Sequence, residues 1–437
     1  MSETKKDKQL FTVGRVFFLL IVIPLSLVAL LIANGILKLG DTAREQAATV
    51  LDKKSQEEIK LRAMNVAEDV ADFLRDREKD ILIATILPAA ETTYKEFILK
   101  NEKSLWVMKN NSIFKVIAPL YREMSLIGRN GDEIIKIANG QIVPKGKLAN
   151  VANPANTAYK SEDYFAKAKA LNKGEIYVSP VTGWYVNRPD FAKGKRFSGI
   201  LRFATPLFDK QGFAGVISMA IDIRHLARFT DNIIPTQSGY VVEADAATGN
   251  YAYMVDNRGF IISSPNDYNI EGLYGDGTPV PALTDKTAKV LMSKGEEVLN
   301  VYQIGYIDPT LPVIAKDAAA GNAGMKTYKS GTQTLFVAYA AIKFYSSTYP
   351  KPGGFGWIGM NVDTGKFNEL ALSSSKKIQQ EARSWIATII VIITVSVILL
   401  FLIAALLARG IGRSIEAEVP ADSQEGAEYY DDEDEED

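Results

Sequence analysis

Two long apolar runs, one near each end of the chain, dominate its pattern of hydrophobic and polar positions. The first covers residues 16–37 and the second covers residues 385–408, and neither contains a charged residue. Because a helix rises by about 1.5 Å per residue, each run is long enough to cross the hydrocarbon core of a bilayer. The pattern therefore predicts two membrane-spanning helices with a large domain between them.

Charged residues beside these runs predict their orientation. Lysines occur in residues 1–15, Arg15 precedes the first run, and Arg409 and Arg413 follow the second. The positive-inside rule then places both termini in the cytoplasm and the central domain outside. Basic residues between 376 and 383 weaken this prediction without reversing it. A cleaved signal peptide is the alternative for the first run, although its apolar core usually has only about 7 to 15 residues.

The segment after the first run, residues 41–87, is rich in Ala, Glu, Lys, Leu and Arg. Its apolar residues recur at steps of three and four, which predicts a long amphipathic helix that continues the first span. The stripe consists of Ile59, Ala63, Val66, Val70 and Phe73, widened by Ala67, Ala71 and Leu74. This helix either packs on a sheet or also forms a stalk and dimer seam. A second helical region is expected from Pro88 to about Leu120.

Strands are predicted where bulky apolar residues alternate with small or polar ones. Residues 198–223 alternate in this way around a turn at 209–212, which is typical of a hairpin of two half-buried strands. Shorter hairpins are predicted at 124–137 and 251–264. Each is followed at a distance by a glycine-bearing hairpin that ends in a long apolar strand, the later one within 326–362. We interpret this as an internal duplication of an α/β unit.

Composition excludes several kinds of chemistry. Cysteine is absent and His225 is the single histidine, so the chain has no disulfide framework, no thiolate metal site and no cysteine nucleophile. A net charge of -2 gives no reason to expect nucleic acid. A Ser/His/Asp set cannot be recognised, so we expect neither an enzyme nor a cofactor.

Aromatic residues gather in a loop-rich stretch before the longest predicted hairpin, where they could hold a small ligand. The candidate ligand-binding residues are Tyr164, Tyr177, Ser179, Trp184, Arg202 and Asp222. Arg202 has apolar neighbours in sequence, so its charge needs a partner. The slightly favoured interpretation is an internal pair with Asp222 or Glu162. In the other, Arg202 points into a cavity and binds a small carboxylate, with the aromatic residues as walls. Tyr240 and Tyr339 are expected in the core.

Several segments resemble those of one known family: LRAMNVAEDVADFLRDRE, MSLIGRNGDEIIKI, YKSEDYFAKAKALNKGEIYVSP, LRFATPLFDKQGFAGVISMAIDI, MVDNRGFIISSP, TLFVAYAAIKF and GWIGMNVD. The family is the double Cache extracellular sensors of chemoreceptors and sensor histidine kinases, and the resemblance spans about residues 50–373. It implies an α+β fold, with two PAS-like α/β lobes of antiparallel sheet on a long N-terminal helix, flanked by two transmembrane helices.

The resemblance also bears on the ligand. The family's amino-acid-binding pattern, R-x-W-Y with a later strand-end Asp, has its counterpart at residues 162–165, where the arginine is missing. The position of the Asp falls on Ala220, two residues before Asp222. Because an α-carboxylate is best held by a guanidinium fork, a standard amino-acid site is not expected here.

The predicted layout follows the chain. It consists of a cytoplasmic N-terminus (1–15), a first span (16–37), a stalk with long helices (38–120), a membrane-distal Cache-like lobe (121–230), a membrane-proximal Cache-like lobe (231–373), an exit helix (374–384), a second span (385–408), a HAMP-like start (409–419) and an acidic tail (420–437). Twelve acidic residues follow Arg413, so the tail is expected to be disordered.

The predicted function is that of a chemoreceptor-like sensor in the cell membrane, with a role in signal transduction or chemotaxis. A small molecule would bind in the membrane-distal lobe, and a helix displacement would cross the membrane. A homodimer through the long amphipathic helix is expected. A cytoplasmic signalling partner is also expected, because the residues after the second run show no enzymatic output module. The alternative is a non-signalling surface binding or scaffold protein with a vestigial linker.

Overall fold

The computed structural model describes residues 3–109, 112–237, 241, 244–330 and 333–417. The predictions for Tyr240 and for the acidic tail at 420–437 lie outside the described residues. One compact unit is Asp52–Glu369, and the other comprises Met1–Leu51 and Leu370–Asp437.

The helices differ widely in length, and the longest ones lie at the two ends of the chain. They are α1 (Glu3–Ala84), α2 (Glu91–Lys100), α3 (Tyr164–Lys169), α4 (Arg188–Ala192), α5 (Arg224–Asp231), α6 (Ala288–Ser293), α7 (Thr310–Ala319) and α8 (Thr364–Ala417).

The strands are all paired antiparallel to their neighbours. They are β1 (Glu102–Lys109), β2 (Ser112–Pro119), β3 (Tyr121–Gly128), β4 (Glu133–Ala138), β5 (Gln141–Ile142), β6 (Tyr177–Val178), β7 (Thr182–Trp184), β8 (Ser198–Asp209), β9 (Gly212–Asp222), β10 (Tyr251–Asp256), β11 (Ile261–Ser263), β12 (Ala323–Ser330), β13 (Gln333–Ile342) and β14 (Gly356–Asp363).

Both predicted apolar runs are helical. The apolar stretch of α1 is Leu19–Leu39, with 21 residues and a mean hydropathy of 2.6, and that of α8 is Arg383–Leu407, with 25 residues and a mean hydropathy of 3.3. By length and composition each is able to cross a membrane. Helix α8 begins at Thr364, directly after β14, and α1 extends beyond its apolar stretch to Ala84 without a break.

The predicted apolar stripe on α1 is buried, apart from Phe73, which is partly buried. The stripe belongs to the main core of the larger unit and extends to Ala84. Its fully buried members are Ile59, Ala63, Val66, Ala67, Val70, Ala71, Leu74, Ile81 and Ala84. The packing role predicted for the helix is therefore confirmed, and the dimer seam stays a prediction.

The helix predicted to run to Leu120 is wrong beyond Lys100. The chain forms β1 and β2 instead, paired from Glu102 opposite Pro119 to Lys109 opposite Ser112. Half of the residues in β2 are β-branched or aromatic, and β1 contains Trp106 and Val107. Such residues fit a strand better than a helix.

Two larger sheets carry the lobes. The seven-stranded sheet of the first lobe has the order β5-β4-β3-β9-β8-β6, with β7 also paired to β8. The five-stranded sheet of the second lobe has the order β11-β10-β14-β13-β12. In each lobe a short hairpin comes first, and the last strand of the lobe returns to pair with that hairpin's first strand. The α+β fold class with two lobes is thus confirmed, whereas the internal duplication and the sequence limits of the lobes remain predictions.

The two faces of the seven-stranded sheet have different neighbours. On one face, apolar residues such as Phe203 and Met219 join the same core as the α1 stripe. The opposite face, which we call the polar face, packs against α3. It carries Glu123 and Ser125 from β3, Arg202 from β8, and Ser218 and Asp222 from β9, all of which are largely buried.

Candidate functional site

Arg202 lies at the centre of the polar face and is only 1% exposed. Its Nε donates to Oε1 of Glu162 at 2.7 Å, and its Nη2 donates to Oε2 of Glu162 at 3.2 Å and to Oε2 of Glu123 at 2.9 Å. Nη1 donates to Oγ of Ser218 at 3.1 Å. The guanidinium also lies 4.4 Å from the ring centroid of Tyr164. The protein itself therefore surrounds this buried cation.

The donor count decides between the two interpretations of Arg202. A guanidinium has five N–H donors, and the four bonds described leave one unused. The pair with Glu162 is confirmed, whereas Asp222 is not its partner. Burial raises the pKa of Glu123, but the charges of Arg202 and Lys136 outweigh it and hold that pKa below its ordinary value. Arg202 is thus neutralised by two carboxylates and is poorly placed to bind a third.

Three other predicted residues surround Arg202. Tyr164 begins α3 and stacks on the guanidinium. Ser179 accepts a hydrogen bond from the Arg202 backbone N–H at 3.0 Å through its Oγ, and donates to the carbonyl oxygen of Pro180. Tyr177 pairs with Ala204, two residues after Arg202 on β8. Its hydroxyl donates to Asp163 at 3.4 Å. Tyr164 and Ser179 thus contact the arginine directly, and the polar atoms of Ser179 and Tyr177 bond to the protein itself.

Asp222 lies at the end of β9 in a second cluster of charges. It is 2% exposed and accepts hydrogen bonds from Arg224 Nη2 at 2.6 Å and from Arg122 Nε at 3.2 Å. Arg122 also donates through Nη1 to Oγ of Ser198 at 2.8 Å. Burial raises the pKa of Asp222, but the hydrogen bonds and charges of Arg224 and the charge of Arg122 hold it below its ordinary value. Asp222 is therefore ionised and orients the arginines.

A break in strand register brings Arg122 to this cluster. The pairing of β3 with β9 shifts between Tyr121 and Glu123, so Arg122 is the extra residue of a β-bulge. Such bulges redirect a side chain beside a site. The side chain of Arg122 is 25% exposed, compared with 1% for Arg202. Arg122 is therefore the more accessible of the two guanidinium groups.

Trp184 lies beside the Asp222 cluster. Its ring centroid is 5.2 Å from that of Tyr159, and both residues pack with Ala220 and Ile200 on the polar face. Trp184 is partly buried. Burial raises the pKa of the Tyr159 hydroxyl, and Arg122, which hydrogen-bonds to it, opposes that rise. Tyr159 is therefore a second aromatic residue beside Trp184 on this face.

One polar atom on this face has no partner. Ser125 is 1% exposed, and its Oγ makes no hydrogen bond. Ser125 pairs with Ser218 across β3 and β9, next to Glu123 in the same strand. Because buried hydroxyls are nearly always hydrogen-bonded, this oxygen is available to a ligand or a water molecule.

Sequence reasoning singled out Trp184, Arg202 and Asp222 on this face but not Arg122, Glu123 and Ser125. All three lie in the strand YREMSLIG, which was interpreted only as part of a hairpin. A signal was present, because Glu123 and Ser125 alternate in a strand that is otherwise apolar and so must share one face. The bulge that adds Arg122 to that face cannot be recognised from the alternation. Among the residues the structure describes, no group of three or more acidic or histidine side chains could hold a metal ion.

No family model matches the sequence, and no curated protein matches it. Solved structures do match. The extracellular domain of the candidate histidine kinase vpHK1S-Z8 is 14% identical, with 75% of this chain and 96% of that chain covered and a TM-score of 0.43. The ligand-binding domain of the Pseudomonas fluorescens chemoreceptor CtaA, in complex with L-isoleucine, is 14% identical over 75% and 98%, with a TM-score of 0.40.

A third match is the sensory domain of the Campylobacter jejuni chemoreceptor Tlp3, 12% identical over 74% of this chain and 100% of that chain, with a TM-score of 0.38. The chain is similar to extracellular sensory domains of histidine kinases and chemoreceptors. At such identities and TM-scores, the similarity carries no information about the ligand.

Proposed function

We propose that this chain is a membrane-anchored sensor that binds a small carboxylate on the polar face of its first lobe. The observation that carries the proposal is the position of Arg122. It is a partly exposed guanidinium held by buried Asp222 and by Ser198, beside the aromatic pair Tyr159 and Trp184. A guanidinium in this setting matches the planar geometry of a carboxylate.

The ligand would lie against the exposed part of Arg122 and the aromatic pair. Arg202, Tyr164, Tyr177 and Ser179 would then hold the wall of the site rather than the ligand itself. The two lobes would together form the part of the protein that lies outside the cytoplasm.

Transmission would use the two terminal helices. The apolar stretch of α1 and the buried stripe that packs on the lobes belong to one unbroken helix. Helix α8, which carries the second apolar stretch, begins at the residue after β14. Ligand binding would shift the population of two helix arrangements, provided that the ligand binds one of them more tightly. A homodimer through α1 and a cytoplasmic partner beyond Arg409 complete the proposal.

The test is a titration of the full chain in maltoside detergent with acetate, succinate and glutamate, with ethylene glycol as the neutral control. Thermal unfolding is the readout. A ligand at a hundredfold its Kd adds about 2.7 kcal/mol to the free energy of unfolding. We expect stabilisation by at least one carboxylate and none by ethylene glycol.

Arg122→Gln should weaken carboxylate binding about tenfold to a hundredfold, because the hydrogen bonds to a charged group are lost. Asp222 keeps Arg224 as a partner in this variant, so the fold should survive. Arg129→Gln is the matched control, since Arg129 lies at the far end of β3 in an exposed pair with Asp209. Equal carboxylate affinity in the wild-type protein and the Arg122 variant would refute the proposed site.

A further inference from the structure

Three buried polar atoms without partners lie on one face of the five-stranded sheet in the second lobe. They are the hydroxyl of Tyr253, Nε1 of Trp357 and Oδ1 of Asn361. The exposed fractions of these residues are 4%, 2% and 5%. Native proteins leave few buried polar groups unpaired, so three on one face call for a common explanation.

Strand register places the three residues together. Tyr253 is opposite Gly359, and Asn361 lies two residues beyond that glycine on β14, while Trp357 lies two residues before it. Side chains two residues apart on a strand share a face. The ring centroids of Tyr253 and Trp357 are 5.5 Å apart. The three residues that carry the unpartnered atoms therefore share one face, on both sides of Gly359 along β14 and opposite it on β10.

Aromatic rings surround this neighbourhood. The ring centroid of Tyr251 is 6.0 Å from that of Tyr253, and that of Tyr339 is 6.4 Å from that of Trp357. A methyl group added at Gly359 would lie 2.6 Å from the hydroxyl oxygen of Tyr253, so this ring lies directly over the glycine. Helix α7 packs against β12, β13 and β14. We call the group of Tyr251, Tyr253, Tyr339, Trp357 and Asn361 the aromatic cluster.

Asp308 gives the aromatic cluster a negative charge. It is 6% exposed and accepts hydrogen bonds from the backbone N–H of Thr310 and from the hydroxyl of Tyr328. Burial raises the pKa of Tyr253, and Asp308 raises it further. Among the described residues, no lysine or arginine forms an ion pair with Asp308. The neighbourhood thus combines aromatic faces with a carboxylate that has no cationic partner.

The unpartnered atoms determine which hydrogen-bonding groups a ligand must have. Oδ1 of Asn361 accepts only, whereas the other end of that side chain already bonds to Tyr251. Nε1 of Trp357 donates only, and the hydroxyl of Tyr253 can do either. A ligand that satisfies all three must bring both a donor and an acceptor. Aromatic faces beside a carboxylate attract an ammonium group.

We propose that the aromatic cluster is a second ligand site, which binds a small organic ammonium ion that also carries an oxygen acceptor. The ammonium group donates to Asn361 Oδ1 and Tyr253, with Asp308 supplying the balancing charge. The oxygen of the ligand accepts from Trp357 Nε1. This site does not depend on carboxylate binding in the first lobe.

Ethanolamine is the probe, because it carries both groups and little else. Ethylene glycol has about the size of ethanolamine but no charge, and glycolate carries the opposite charge. The full chain is titrated with each by calorimetry in maltoside detergent, which contains no amine. We expect heat of binding with ethanolamine and none with the other two. Equal binding of all three, or binding of none, would overturn the proposal and leave ordered water as the partner of these atoms.

Two matched tyrosine variants separate ligand binding from structure. Tyr253→Phe removes a hydroxyl that has no partner, whereas Tyr349→Phe, outside the aromatic cluster, removes one that donates to the carbonyl oxygen of Ser179 at 2.8 Å. We expect Tyr253→Phe to weaken ethanolamine binding about tenfold and to keep the melting temperature of the ligand-free protein. Tyr349→Phe should lower that temperature and keep the affinity. The reverse pattern would show that the hydroxyl of Tyr253 is structural and would contradict the proposal.

Discussion

The two lobes share one strand order but carry opposite chemistry at the centre of their sheets. In the first lobe, Ala220 is flanked across the strands by Glu123 and Arg202, whose charges neutralise each other. In the second lobe, Gly359 is flanked by Tyr253 and Tyr339. A small residue lies at the centre of both sheets. Its neighbours across the strands are a charge pair in the first lobe and aromatic rings in the second.

This difference has an energetic consequence. A buried charge pair is weak support for a fold while it is intact, but removal of one partner leaves an uncompensated charge that is costly. A tyrosine hydroxyl without a partner has already been desolvated, so its removal costs little. The first lobe should therefore be sensitive to single polar substitutions at its centre, and the second lobe should tolerate them.

The largest expected effect is that of Arg202→Met. The substitution leaves the buried carboxylates of Glu123 and Glu162 without their cation, so we expect a loss of about 3 to 5 kcal/mol in the free energy of unfolding. Urea unfolding of the full chain at neutral pH measures it. A loss below about 1 kcal/mol would mean that these charges are solvated, and the contrast between the lobes would fail.

The next effect is a pH dependence in the first lobe. Burial lowers the pKa of His225 to about 4, and its Nε2 lies 3.1 Å from the carbonyl oxygen of Pro119. The unfolded chain takes up this proton near pH 6.5, whereas the folded chain resists until about pH 4. Stability is therefore complete above pH 6.5 and falls as the pH drops to 4, by about 3 kcal/mol.

His225→Gln removes this titrating group. The stability of the variant should change less than that of the wild-type protein between pH 6.5 and 4, when both are followed by thermal unfolding. Identical pH profiles would place the imidazole in water and contradict the buried, neutral histidine.

A smaller effect is expected in the second lobe for Gly359→Ala. The added methyl group meets the ring of Tyr253, so we expect a loss of about 1 to 3 kcal/mol from overpacking. Gly275→Ala is the control, because a methyl group there meets nothing within 4 Å. Equal stability of the two variants would show that the Tyr253 ring does not rest on β14.

Much of the fold could be predicted from local patterns. The apolar runs, the stripe on α1 and the hairpins of β3 with β4 and of β8 with β9 each follow a period that the sequence displays directly. The region after Lys100 could not, because short apolar segments are ambiguous between helix and strand, and its β-branched content was the better guide.

The candidate sites were harder to predict. The pair of Arg202 with Glu162 was foreseen because a buried charge must have a partner. Its second partner, Glu123, is 79 residues away along the chain, and strand order alone brings the two together. Tyr339 was expected in the core, where it lies. Its position beside the three unpartnered atoms depends on the register between β10, β13 and β14. The alternation of residues within a single strand does not reveal that register.

The most direct test is to titrate the wild-type protein, Arg122→Gln and Tyr253→Phe with both ethanolamine and the carboxylate that stabilises the chain best. Calorimetry of the full chain measures all six affinities. The account predicts that Arg122→Gln weakens only carboxylate binding and that Tyr253→Phe weakens only ethanolamine binding, each about tenfold or more. If either variant weakens both ligands equally, or neither, the two lobes do not carry separate sites of opposite charge preference.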